Sequence, residues 1–164
     1  MEHHHIHRTY LSDSIYFVTT NVRRHVAFFR DRNIAKIAEQ SIWWNRGSEY
    51  IAYVVMPDHL HLLLQPVKDN ISILMQSLKS NSCREINRHL SQHSGERALA
   101  AIQGERIFQW QKGFYDHVIC DERNLMNHVE YIRYNPMKAG LVEKPEDYPF
   151  LFVDDEAVNR ALGY

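Results

Sequence analysis

The chain has only two cysteines among 164 residues, Cys83 and Cys120, and they do not form a CxxC pair. This argues against a disulfide-stabilised scaffold and a cysteine-based zinc site, and it favours reduced thiols inside the cell. No hydrophobic run approaches the roughly 18 residues that a membrane-spanning helix needs. The start of the sequence is polar and rich in histidine, unlike a signal peptide, so we expect a cytoplasmic protein.

The chain also lacks a dominant charge. Its formal net charge is −1, so any nucleic-acid-binding surface must be local. The 45% hydrophobic content suits a single domain over residues 1–164 with a substantial core. We expect residues 1–8 to be a mobile terminus or tag remnant, and residues 153–164 to form a C-terminal tail. The terminal histidines are therefore not assigned to a folded metal site; they are His3, His4, His5 and His7.

Apolar periodicity predicts elements in the order βαββαβα. The predicted elements are strand 14–20, helix 34–44, strands 49–56 and 59–65 around a turn at Pro57-Asp58, helix 70–93, a fourth strand or hairpin from segments 107–110 and 115–119, and helix 122–134. A loop is expected over residues 91–105. Pro136 is expected to stop the last helix, which Asp121 or Glu122 would cap. The order predicts an α+β fold, a ferredoxin-like antiparallel sheet with helices packed on it.

Two histidines, His59 and His61, lie one leucine apart in the apolar run 54–65. Because side chains alternate along a strand, both imidazoles point to one face and the neighbouring leucines to the other. A lone buried histidine is usually a core residue with satisfied ring nitrogens, but a pair needs two sets of partners. The pair therefore indicates half of a metal site about as readily as a structural role. Asp58 and Asp116 are candidates for orienting a histidine or a water, or for ordinary turn and strand-end roles.

The last predicted helix carries Tyr131 and Asn135, one turn apart on one face. Taken separately, Tyr131 is expected at the core boundary and Asn135 at a helix C-cap. Together with the histidines, Tyr131 and Asn135 suggest a catalytic metal site. An amide oxygen suits a hard divalent cation, and a nearby cation lowers the cost of forming a phenolate nucleophile. Such a set suits phosphodiester transesterification. Tyr134 and Tyr148 are rival nucleophiles, and position relative to Asn135 favours Tyr131.

Several stretches occur together in the order of one known family. They are the HLH tripeptide at 59–61 after Met-Pro-Asp, Tyr131 with Asn135, the run 135–142, and segments 110–119 and 146–150. In this combination the chain resembles the HUH single-tyrosine transposases, and most closely their REP-associated branch. The resemblance covers roughly residues 8–152.

The resemblance implies a fold of the HUH endonuclease type, with His59, His61 and Asn135 as ligands of Mg²⁺ or Mn²⁺ and Tyr131 as nucleophile. It implies cleavage of single-stranded DNA near the foot of a palindromic hairpin, giving a 5′-phosphotyrosine link and a free 3′-hydroxyl, with rejoining by the reverse reaction. Many insertion-sequence relatives carry glutamine in place of Asn135, so the asparagine favours the branch that acts on REP hairpins. That branch also favours a monomer over a homodimer that exchanges the tyrosine helix.

Basic residues near the predicted site provide local positive charge for phosphates, although each one also fits an ordinary solvated surface. The candidate DNA contacts are Arg23, Arg24, Lys79, Arg84, Arg88, Lys112, Phe114, Arg133 and Lys138. Trp110, Phe114 and Tyr115 are expected either to stack on unpaired bases or to join the core, and the core is favoured for Trp110.

Two other functions stay open. The first is a non-catalytic module that binds hairpin DNA on the same scaffold. The second is a metal-dependent phosphodiesterase that activates water, in which Tyr131→Phe would leave turnover largely intact.

Overall fold

The computed structural model describes residues 14–44, 47–68, 70–93 and 107–164. Within these ranges the elements are β1 (Tyr16–Asn21), α1 (Arg32–Trp44), β2 (Ser48–Met56), β3 (His59–Pro66), α2 (Ile71–His93), β4 (Tyr115–Val118), α3 (Glu122–Lys138), β5 (Leu151–Val153) and α4 (Asp155–Ala161), with short 3-10 turns at Arg23–His25, Phe28–Arg30 and Pro145–Asp147. The terminal histidines and most of the predicted 91–105 loop lie outside the described residues. Residues 91–93 are the last of α2.

The described strands form one antiparallel sheet in the order β4-β1-β3-β2-β5. Strands β2 and β3 make a tight hairpin around Pro57 and Asp58, as the turn residues predicted. The first four strands have the order 4-1-3-2 and, with α1 and α2 in the connections, confirm the predicted ferredoxin-like α+β fold.

Helices cover both faces of the sheet. Helices α1 and α2 pack on one face, where the even-numbered leucines of β3 are buried together with Ile42 and Leu74. Helices α3 and α4 pack on the other face, where Leu63 contacts the apolar side of α3 that includes Val129. Complete burial of such a side chain is worth about 1.5–3 kcal/mol. None of the described helices is both long and apolar enough to cross a membrane.

Of the two arrangements predicted around Lys112-Gly113, the fourth strand is present as β4, and the hairpin is absent from the described residues. Residues 107–110 form no strand, and Trp110 makes only a single bridge, to Val22. Strand β4 pairs with β1 instead. The aromatic residues that suggested a strand are core residues, because the rings of Phe108 and Trp110 contact each other with centroids 5.2 Å apart and both pack on Phe29.

The predicted end of the last helix is also wrong, because α3 continues through Pro136 to Lys138. Asp121 caps its start as predicted, with its side chain accepting from Asn124 N at 2.7 Å. A proline removes one backbone donor, which is tolerable here because the final turn is held by Ala139 N donating to the Asn135 carbonyl at 3.0 Å. Gly140, with φ of 69°, then ends the helix.

Residues 153–164, predicted as a tail, include helix α4. Asp154 caps this helix by accepting from Ala157 N at 2.9 Å, and Ala157 is buried against the α3 side of the sheet. Arg133 on α3 is ion-paired with Asp155 at 2.7 Å, so α4 contacts the tyrosine-bearing helix directly.

Candidate active site

Strand β3 places the two histidines beneath α3. His61 lies opposite Thr19 of β1, and His59 lies opposite Asn21. The alternation predicted from the sequence is confirmed, since Leu60, between the histidines, is buried in the core under α1 and α2. His61 is only 5% exposed, so its ring is almost completely removed from solvent.

The two imidazoles face each other through their Nε2 atoms, which lie 3.1 Å apart. Their other nitrogens are held from outside: His59 Nδ1 donates to Asp58 Oδ1 at 2.7 Å, and a 2.8 Å hydrogen bond joins His61 Nδ1 to the Thr19 hydroxyl. When both Nδ1 atoms carry the hydrogen, both Nε2 lone pairs point into the same space. That arrangement is unfavourable unless a cation lies between them.

The electrostatics keep the deeper histidine neutral. Burial lowers the pKa of His61 to about 3; proximity to His59 adds to the shift, and Asp58 opposes it. For Asp58, burial acts to raise the pKa, but hydrogen bonds from His59 and His25 outweigh it, and the net shift is downward. A neutral imidazole beside an ionised carboxylate is the protonation state that metal binding requires.

The residues present fit a divalent cation. Two ligands at right angles, each about 2.1 Å from one ion, lie about 3.0 Å apart. The observed 3.1 Å between the Nε2 atoms matches neighbouring positions around an octahedral ion. Within the described ranges no three or more His, Cys, Asp and Glu side chains form a metal-holding group. Any third protein ligand from these ranges would therefore be of another type, such as an amide.

Helix α3 brings Tyr131 to the histidine pair. The Tyr131 hydroxyl lies 3.5 Å from His61 Nε2, and the two ring centroids are 5.1 Å apart. The side chain is 42% exposed, so the phenol is accessible to solvent and to a substrate. Two segments 70 residues apart in sequence thus meet at one point, as the resemblance and the chemistry led us to expect.

Asn135 lies one turn beyond Tyr131 on α3 and is half-buried. No hydrogen bond joins its carboxamide to His59 or His61 in the part of the chain that the structure describes. The structure therefore brings three of the four predicted residues into contact. The role of Asn135 as a ligand stays a prediction.

Phe17 on β1 was not predicted as part of the site. Its ring stacks on His61 at 5.3 Å, meets Tyr131 edge-on at 5.8 Å, and contacts His128 at 4.5 Å. The signal in the sequence was the alternation of β1, which puts Phe17 and Thr19 on the same face as the histidines once the strands are paired. Phe17 thus fills the space between the buried imidazole and the phenol.

The rival tyrosines differ in their surroundings. The Tyr148 hydroxyl donates to the Val55 carbonyl at 2.7 Å, and burial raises the pKa of Tyr148 to about 12. The Tyr148 hydroxyl is thus engaged in a structural hydrogen bond and does not contact the histidines. Tyr134 is partly exposed on α3, three residues after Tyr131, and provides a matched control for it.

Several candidate DNA contacts already have protein partners. Lys79 donates to the carbonyls of Gln111 and Gly113 at 2.7 and 2.5 Å, and burial lowers its pKa. Arg84 and Arg88 both pair with Glu85. Arg133 is paired with Asp155, as described above, and Arg23 Nη1 donates to Gln109 Oε1 at 2.5 Å. The remaining basic candidates are Arg24, Lys112 and Lys138, and all three are exposed.

Of the three aromatic residues considered for base stacking, only Tyr115 projects into solvent. Trp110 is fixed in the core region, with its indole nitrogen donating to Ser82 at 2.9 Å, and Phe114 packs against the same core. Tyr115 is 62% exposed and lies opposite Thr19, which in turn lies opposite His61. The phenol ring of Tyr115 therefore belongs to the same face of the sheet as the histidine pair.

The chain is similar to known proteins of one family. Residues 12–135 match the family model of IS200-like transposases. A Haemophilus influenzae protein provisionally named a REP-associated tyrosine transposase is 36% identical over 104 residues, or 62% of this chain and only 57% of that protein. The REP-associated tyrosine transposase of Escherichia coli K12 is 27% identical over 147 residues, or 87% of this chain and 78% of that protein. The solved structure of a REP-associated tyrosine transposase bound to a REP hairpin aligns with a TM-score of 0.64 at 25% identity, over 99% of this chain and 88% of that one.

Proposed function

Since this chain belongs to the IS200-like transposase family, as the resemblance to HUH transposases predicted, we propose that it cleaves and rejoins single-stranded DNA beside palindromic hairpins. The observation that carries this proposal is the 3.5 Å approach of the Tyr131 hydroxyl to the histidine pair. The hairpin in the structure of the similar transposase supports the choice of substrate.

In the proposed reaction, the Tyr131 oxygen attacks the phosphorus of a phosphodiester. The bond from the phenol oxygen to phosphorus forms, the bond from phosphorus to the 3′-oxygen breaks, and the leaving oxygen takes up a proton. The phenol proton passes to solvent, which reaches the exposed side of the ring. The products are a 5′-phosphotyrosine link and a free 3′-hydroxyl, and attack by such a hydroxyl reverses the step without loss of bond energy.

We propose that His59 and His61, with Asn135 as third ligand, hold Mg²⁺ or Mn²⁺. The bound ion would polarise a phosphoryl oxygen and stabilise the charge that develops during attack. The chain supplies a neutral His61, an Asp58 carboxylate that orients His59, and Phe17, which packs against both His61 and Tyr131.

We propose that the protein acts as a monomer, because Tyr131 reaches His61 within one chain without a partner helix. For the DNA path, we propose the exposed basic residues Arg24, Lys112 and Lys138. We propose a cleft of about 660 Å³ along α2 as a second DNA-binding surface, in which Lys79 and Arg84 would contact phosphates in addition to their protein partners.

The direct experiment uses single-stranded hairpin oligonucleotides, labelled at either end, with Mn²⁺. We expect a covalent protein–DNA adduct on a denaturing gel, and peptide mapping should locate it at Tyr131. Tyr131→Phe should bind DNA but form no adduct, whereas the matched Tyr134→Phe should still form it. Cleavage that persists in Tyr131→Phe would favour the water-activating phosphodiesterase, and hairpin binding without any cleavage would favour the non-catalytic module.

A further inference from the structure

A strained turn lies beside the histidine pair. Arg24 and His25 have φ angles of 60° and 53°, and among the residues whose placement is described they are the only non-glycine ones with positive φ. This conformation is unfavourable for ordinary residues, although histidine adopts it more readily than most. Two such residues in succession require contacts that hold them there.

Those contacts are made with the turn of the β2–β3 hairpin. Val22 N donates to the Asp58 carbonyl at 2.7 Å, and Phe29 N donates to the Pro57 carbonyl at 2.9 Å. Between these two anchors, His25 Nδ1 donates to Asp58 Oδ2 at 3.0 Å. The strained turn thus directs one imidazole at the carboxylate that precedes His59.

The carboxylate of Asp58 is shared between two histidines, since its other oxygen, Oδ1, accepts from His59 Nδ1. An ionised carboxylate only accepts hydrogen bonds, so both Nδ1 atoms must carry hydrogen. The terminal torsion of an aspartate is broad, and one hydrogen bond alone leaves the group free to turn. A second hydrogen bond, to His25, fixes its orientation.

We propose that His25 is a positioning residue for the cation site, acting through Asp58 to hold His59 with its Nε2 lone pair directed at His61. The inference rests on the proposed function, because the orientation of the His59 ring matters only if His59 binds a cation. It adds a residue that touches neither the ion nor DNA in the proposed reaction and that lies 33 positions from Asp58 in the sequence.

The test is Mn²⁺ binding to the full chain, measured by titration calorimetry. Outer partners of metal ligands are typically worth about 10- to 100-fold in affinity, and His25 is one step further out, so we expect His25→Ala to weaken binding by about 10-fold. His25→Asn should restore most of the affinity, because its amide nitrogen takes the place of Nδ1 and asparagine tolerates positive φ. His93→Ala, a matched change at an exposed histidine at the end of α2, should not weaken binding.

A second measurement keeps the test independent of activity. In the metal-free chain, ¹⁵N NMR of His59 should show hydrogen on Nδ1 in the wild type and a mixture of tautomers in His25→Ala. Equal Mn²⁺ affinity in wild type and His25→Ala, or no recovery in His25→Asn, would overturn the inference and leave the proposed function standing. A wild-type chain that binds no Mn²⁺ would overturn the cation site and the inference with it.

Discussion

Acid should destabilise the metal-free protein through His61. The folded chain holds this imidazole with a pKa of about 3, whereas an unfolded chain gives histidine its ordinary value near 6.5. Between these values the unfolded state binds more protons than the folded state. The free energy of unfolding therefore increases with pH in this window, and the contribution is lost as pH falls from 6.5 towards 3.

The magnitude follows from the size of the shift. Each pKa unit corresponds to about 1.4 kcal/mol, so His61 contributes about 2 kcal/mol between pH 6.5 and 5, and about 5 kcal/mol over the whole window. Typical domains have a total stability of about 5–15 kcal/mol, so the loss would be large enough to measure well above pH 3.

Urea unfolding in EDTA at several pH values between 5 and 7.5 measures this effect. His61→Leu removes the titrating group while keeping an apolar side chain of similar size, so the difference in pH dependence between this variant and the wild type isolates His61 from the other histidines. We expect the wild type to lose about 2 kcal/mol more than the variant between pH 6.5 and 5. Parallel curves for the two proteins would refute the burial argument.

Three further predictions concern function. Thr19→Val keeps the shape of the side chain but removes the hydrogen bond to His61 Nδ1, so Mn²⁺ affinity measured by calorimetry should fall by about 10- to 100-fold; an unchanged affinity would mean that Thr19 does not orient the ring. A mixture of His61→Ala and Tyr131→Phe chains should form no DNA adduct if each site is built within one chain, and recovery of adduct would reveal exchange of α3. Tyr115→Ala should weaken single-strand binding by about 1–3 kcal/mol, measured by fluorescence anisotropy, and Tyr115→Phe should not; equal binding by all three proteins would exclude base stacking there.

The sheet and the histidine pair could be predicted because their signals are local. Alternation over the β3 run gives both the strand and the face on which His59 and His61 lie, and helical spacing places Tyr131 on the side of α3 near the sheet. That these segments would meet followed from the resemblance and the chemistry, since no short-range pattern links residues 70 positions apart.

Other features depended on packing. Strand β5 has three residues, too few for alternation to be visible, and α4 is only two turns long. The aromatic residues at 108 and 110 match a strand pattern, but burial against Phe29 decides their placement. The hydrogen bond from His25 to Asp58 depends on left-handed backbone angles, and no sequence pattern near His25 predicts these angles.

The eight residues of strand β3 contribute both to the hydrophobic core and to the candidate active site. Its even positions fill the core under α1 and α2, and its odd positions build the site under α3. An insertion of one residue after Leu60 would turn Leu62 and Leu64 towards Tyr131, and would turn His61 and Leu63 into the core under α1 and α2. Such an insertion would disrupt both the packing of the core and the active site. Strand β3 is therefore expected to tolerate substitutions but not insertions or deletions.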